Sequence, residues 1–205
     1  MSAALEPTVR ELRAKQSPKR RAVAKKLRKL ADPAAGPYLV DALINEIKDP
    51  RTWETQYQMV MALAECRHVE AKPLIAELSH RNFEATMVYL ALGDALVRLS
   101  PGHEVEVVIT LIDEARHRML IDGALRALAM LRLVPSEPAI QRILDYAAPL
   151  PIDDGNRFWI IAACPGWPAK LTQSFLTDCA RTDRTDFQEA LELAKRGRYK
   201  TWRPL

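Results

Sequence analysis

Cysteine is scarce. Cys66, Cys164 and Cys179 are the three in 205 residues, an odd number at wide spacing, which excludes a disulfide scaffold and predicts the reduced thiols of a cytoplasmic protein. The 7 glycines form no cluster able to cradle a phosphate. The longest apolar run, Phe158–Cys164, has seven residues, against about 20 for a membrane-spanning helix. The opening MSAALEPTVRELRAK has no apolar core of a secretory signal. No Asn-Gly or Asp-Gly pair joins two alternating apolar segments, so hairpin strands are not predicted. The signatures HExxH, GxSxG, CxxC and the Walker loop do not occur, and His68, His80, His103 and His117 lack partners at metal-ligand spacing. From these absences we expect no catalysis, no cofactor, no metal, no membrane span and no small-molecule substrate.

What is present is helical. Apolar residues make up 48% and charged residues 27%, a globular balance. In 18–31 the apolar positions Val23, Ala24, Leu27, Leu30 and Ala31 recur three and four apart, the spacing of a helix face. Ser17 before Pro18 reads as an N-cap, as does Thr52 before the next-but-one helix. The same periodicity predicts helices near 7–16, 18–31, 37–47, 52–67, 72–80, 84–99, 104–115, 118–134, 137–147, 155–164, 169–181 and 184–196. Asp153-Asp154 reads as a helix-start pair rather than a catalytic dyad. Charge is uneven: residues 1–30 carry +8, residues 195–205 carry +5 and the segment between them −9. We take the chain as one domain over 1–205 with basic N-terminal helices, an acidic body over 31–194 and a basic tail.

The helices repeat. Leu27, Leu63, Leu96 and Leu128 recur at spacings of 36, 33 and 32, and the last three follow an alanine. An apolar position follows each leucine: Leu30, Cys66, Leu99 and Leu131. Alanine beside leucine lets helices approach closely, and a hairpin with too little core of its own must stack on its neighbours. The segment Arg20–Pro50, with its arginine, its Ala/Leu spacing, Asp32, Pro37 and the closing Asp49-Pro50, resembles a HEAT repeat of the short bacterial type. The resemblance implies an all-α, right-handed α-solenoid of about six helical hairpins, with a helix arginine and a turn aspartate laddered between repeats. Here that ladder would run Arg20, Gln56, Tyr89, Ile121 and Asp32, His68, Pro101, Leu133.

In such solenoids the second helices line the inner surface, and their first turns carry the binding residues. The resemblance therefore implies a non-catalytic scaffold or adaptor that binds a protein partner, including inhibitor or immunity-type roles. The candidate contacts are Trp53, Glu54, Gln56, Tyr57, Arg81, Asn82, Arg116, Arg118, Arg157 and Arg184; Trp53 and Tyr57, four apart, share a helix face and suit contact anchors. An alternative is a nucleic-acid-binding module that uses Arg21, Lys25, Arg28 and Lys29, with Leu27 and Leu30 facing the core, together with Arg198, Lys200, Trp202 and Arg203 of the tail. A minor alternative comes from the resemblance alone: some alkylpurine DNA glycosylases are built from HEAT-like repeats, which would put Trp53, Trp159, Arg116, Arg118 and Arg157 to use.

Overall fold

A computed structural model describes residues 5–114 and 116–201. Twelve α-helices and no strand occur among them: α1 (Leu5–Arg10), α2 (Ser17–Leu30), α3 (Gly36–Glu46), α4 (Trp53–Glu65), α5 (Lys72–Ser79), α6 (Thr86–Arg98), α7 (Glu104–Asp113), α8 (Arg118–Met130), α9 (Glu137–Ala147), α10 (Gly155–Ala163), α11 (Ala169–Cys179) and α12 (Thr185–Lys195). The all-α class is the one the sequence periodicity predicts. The chain divides into two compact units, 1–104 and 105–205.

In the first unit α4 packs against α2 and α6, while α3 lies on α4 and α5 on α6. The second helices thus form one layer backed by the first helices. In the second unit α10 packs between α8 and α12, and α9 against α11. Position in the layer dictates composition. Enclosed by α2, α3 and α6, α4 buries every residue from Gln58 to Ala64, which is why its sequence is apolar nearly all round. The four register leucines are 0% (Leu27, Leu63, Leu128) and 7% (Leu96) exposed. Leu30 breaks the expected pattern: it is 48% exposed, because α2 ends there and Ala31 turns the chain away at φ 50°.

Ends repeat as faithfully as cores. Ala31, Arg67 and Arg132 are left-handed, at φ 50°, 52° and 56°, each four residues beyond a register leucine. The Leu63 carbonyl accepts from His68 N–H at 3.2 Å and the Leu128 carbonyl from Leu133 N–H at 3.1 Å, the closing bond of a Schellman turn. Consequently α8 stops at Met130 and not near 134. The expected first helix over 7–16 is the short α1 followed by a 3-10 turn at Glu11–Arg13. Stacking also fixes Gly36 at the start of α3: a Cβ there would lie 2.2 Å from the His68 ring, so only glycine lets this hairpin seat against the next turn.

Leu63→Ala removes a fully buried side chain from the middle of the first unit's layer and should cost about 2–5 kcal/mol, measured as a lowered denaturant midpoint at unchanged slope.

Candidate functional site

The first turns of the second helices are where the sequence placed the binding residues, and the structure divides them into two groups. One group faces inward and holds loops. Arg20, the fourth residue of α2, donates Nη1 to the carbonyls of Ala14 (2.7 Å) and Lys15 (2.9 Å), and grips both carboxylate oxygens of Glu46 at 2.5 and 2.8 Å. Gln56, fourth in α4, donates Nε2 to the Asp49 carbonyl at 2.9 Å and the Glu46 carbonyl at 3.3 Å. Tyr89, fourth in α6, donates its hydroxyl to the Arg81 carbonyl at 2.9 Å and accepts from Phe83 N–H at 3.0 Å. In the second unit Arg157, third in α10, donates to the carbonyls of Ala147 (3.2 Å) and Ala148 (3.1 Å) and to Asp178 at 2.7 Å. Gln188, fourth in α12, reaches the Thr182 carbonyl at 2.6 Å. Ile121, the matching residue of α8, is apolar and buried.

Two expected contact residues therefore leave the surface. Gln56 is 1% and Arg157 3% exposed, and both are occupied by backbone carbonyls of the loop before their own helix. The expected caps are reassigned as well. Ser17 is the first residue of α2 and gives no cap bond; its hydroxyl donates to Glu46 at 2.6 Å and lies 2.7 Å from the Thr55 hydroxyl. Thr52 makes no side-chain cap to α4 either and donates back to the Asp49 carbonyl at 2.8 Å. Asp154, by contrast, does cap α10, accepting from Asn156 N–H at 2.8 Å.

The second group faces solvent. In the first unit Trp53 is 36% and Met87 38% exposed, in the first turns of two helices that pack side by side. Tyr57 is half-buried one turn after Trp53, and Glu54 is exposed and paired with Arg21 of α2. Arg81 and Asn82 are exposed in the loop before α6, Arg81 bound to Glu77 at 2.6 Å. On α2, Lys25 and Lys29 are exposed, and Arg28 is half-buried with Nη1 3.5 Å from Gln58 Oε1. A cleft of about 660 Å³ in this unit, lined by Arg13, Tyr38, Asp41 and Ile44 among others, mixes both charges with apolar surface.

In the second unit Arg116 is half-buried, 3.5 Å from Glu114. Arg118 is exposed and paired with Asp154, and Arg184 is exposed, held by Asp186 at 2.6 Å and stacked 4.6 Å over Phe187. Arg198 is exposed, and Lys200 pairs with Glu189. Trp202 and Arg203 lie outside the described residues.

Sequence reasoning missed Asp122. It accepts from the Trp159 indole N–H at 2.9 Å, beside the glycine that opens α10: a Cβ on Gly155 would sit 3.1 Å from Asp122 Oδ2. Burial holds its carboxyl above the ordinary 3.8 despite the Trp159 hydrogen bond and the nearby Arg126. The opposite shift occurs at Asp178, held below the ordinary value by its bond to Arg157. Burial pushes the Cys66 and Cys179 thiols up to about 11, so both are neutral thiols near pH 7. Among the described residues no three His, Cys, Asp or Glu side chains converge as metal ligands, and no helix is long and apolar enough to cross a membrane.

The Arg20–Glu46 pair brackets a segment with a recognised pattern. Residues 19–45 match the family model of the PBS lyase HEAT-like repeat. No curated protein and no solved structure matches the chain. The HEAT-like match spans nearly all of α2, the turn at Asp32 and nearly all of α3, with the loop-holding Arg20 at its start.

Removing Arg20 strands a Glu46 carboxylate whose side chain is 2% exposed. Arg20→Ala should cost about 3–5 kcal/mol, whereas Arg28→Ala on the same helix should cost less than about 0.5 kcal/mol; parallel denaturant titrations check the contrast. Asp122 gives a pH signature. Its folded pKa is raised, so the folded state favours the protonated form, and stability is lost as pH rises through that pKa. Asp122→Asn keeps the acceptor for Trp159 and should raise the melting temperature at pH 7, with the gain vanishing below the ordinary carboxylate value of 3.8.

Proposed function

We propose that the chain is a non-catalytic protein-binding module of the scaffold, adaptor or inhibitor kind, and that its partner docks on the second-helix layer at the first turns of α4 and α6. HEAT-like repeats are commonly protein-interaction scaffolds. The observation that carries the proposal is the exposure of Trp53 and Met87 on helices that are otherwise buried nearly all round. Large apolar side chains at adjacent helix starts, rimmed by Glu54, Arg81 and Asn82, have the composition of an interface anchor with a polar surround. Trp53 keeps 36% of its surface open to solvent. The three free thiols, all buried, suit a reducing cytoplasm.

A photo-crosslinking residue at position 53 should capture a discrete protein from native extract. The same residue at Glu70, exposed in the turn after α4, should not. Equal capture at both positions, or none at 53, overturns the proposal. Trp53→Ala should weaken the captured partner by about 2 kcal/mol or more while the denaturant midpoint stays within about 0.5 kcal/mol of the unaltered chain.

A further inference from the structure

We infer that the partner of this surface presents an acidic segment with an apolar side chain, lying from α2 across to the first turns of α4; the inference rests on the protein-binding proposal. Helix α2 carries seven cations, Lys19, Arg20, Arg21, Lys25, Lys26, Arg28 and Lys29, and no acid. Arg20 is engaged by Glu46 and Arg21 by Glu54. Lys19, Lys25, Lys26 and Lys29 are exposed and have no acid at ion-pair distance among the described residues. Elsewhere in the two layers the arginines are matched: Arg98 with Asp94 and Glu65, Arg118 with Asp154, Arg157 with Asp178, Arg184 with Asp186. The uncompensated charge of the first unit's layer is therefore concentrated on α2, and the complementary partner is anionic there.

Two features separate an acidic protein segment from a nucleic acid. First, the positive surface stops at α4, which holds Glu54 and Glu65 and no cation. A nucleic-acid strand binds through a run of phosphate contacts along a continuous cationic track, and Glu54 interrupts such a track. Second, the lysines adjoin an apolar anchor. Arg21 reaches Glu54 and Arg28 reaches Gln58, so Lys25, between the two arginines, stands level with the turn of α4 that holds Tyr57, one turn from Trp53. Lys25 and Lys29 are four apart and point the same way. Carboxylates on the two lysines and an apolar side chain against Trp53 can thus be met by one short segment.

Three fluorescent probes at about 150 mM salt test this on the full chain: a peptide of about 12 residues alternating Glu pairs with Leu and Phe, the same peptide with every Leu and Phe changed to Ser, and an oligothymidylate of equal length. The first peptide should bind. Combined Lys25→Glu and Lys29→Glu should weaken it about tenfold, as should Trp53→Ala, and the serine peptide should bind about tenfold more weakly. Lys25→Gln with Lys29→Gln, expected to fold as the unaltered chain does by circular dichroism, should show a smaller loss in the same direction. Oligothymidylate binding as tightly as the first peptide, insensitivity of that peptide to the charge reversal, or no binding of it at all overturns the inference. The position-53 crosslink reads the underlying proposal separately. An adduct that persists in the charge-reversed chain overturns the acidic partner alone, whereas no adduct in the unaltered chain overturns both.

Discussion

A helical hairpin stacked in an array has a weak point, which is the bend between its helices. The carbonyls at the end of the first helix and in the following loop have left the helical ladder and lie partly inside the stack, where a bare acceptor costs about 1–3 kcal/mol. Here the bends before α2, α4, α6 and α10 are each answered by one side chain from the start of the second helix, while α8 carries the apolar Ile121 there. Arg20 serves Ala14 and Lys15, Gln56 serves Glu46 and Asp49, Tyr89 serves Arg81, and Arg157 serves Ala147 and Ala148. The residue type changes while the task stays. An arginine reaches two carbonyls and still has an edge left for a carboxylate of the next hairpin, Glu46 or Asp178, so it ties neighbouring repeats together. Gln56 and Tyr89 bond carbonyls of their own bend. The two arginines thus join hairpins by charge as well as by packing, one in each unit, as do the Arg21–Glu54, Arg98–Glu65 and Arg118–Asp154 pairs.

This division explains what was legible beforehand and what was not. All twelve helices follow from apolar periodicity, and the burial of Leu27, Leu63, Leu96 and Leu128 follows from their register, because both depend on residues near each other in sequence. Leu30, expected in the core, is exposed because α2 ends there; the other side-chain errors concern polar residues claimed by groups outside their own helix. Ser17 has the composition of a cap, yet its hydroxyl is claimed by Glu46, 29 residues on. Gln56 and Arg157 have the composition of contact residues, yet loop carbonyls claim them. No local pattern reports what lies opposite a side chain across the hairpin. One signal was available for Gln56: it occupies the column of Arg20 in the repeat, and a column that is structural in one repeat is structural in the next. Arg157 escaped because the leucine register lapses after 135, although its place at the start of α10 matches that of Arg20 in α2.

The αL ends of α2, α4 and α8 make the same point for the backbone. Ala31, Arg67 and Arg132 accept left-handed φ values where glycine is the residue of lowest strain. Schellman bonds close the turns after α4 and α8 locally, and the turn after α4 also packs back on its own hairpin, with His68 against Gly36.

Once the structural column is recognised, the proposed binding surface narrows. In the first turn of a second helix, the fourth residue points at the bend and is unavailable to a partner, while the first two residues project beyond the layer. In the first unit those projecting residues are Ser17 and Pro18 in α2, Trp53 and Glu54 in α4, Thr86 and Met87 in α6. Ser17 is drawn back by Glu46 and Thr55, which leaves the tips of α4 and α6 free to vary. Indole and thioether stand at exactly these freed tips, whereas every inward fourth residue of the unit is polar and bonded. Selection for stacking accounts for Arg20, Gln56 and Tyr89; it does not account for Trp53 and Met87, and surface apolar groups that packing does not need are the ones a partner can use.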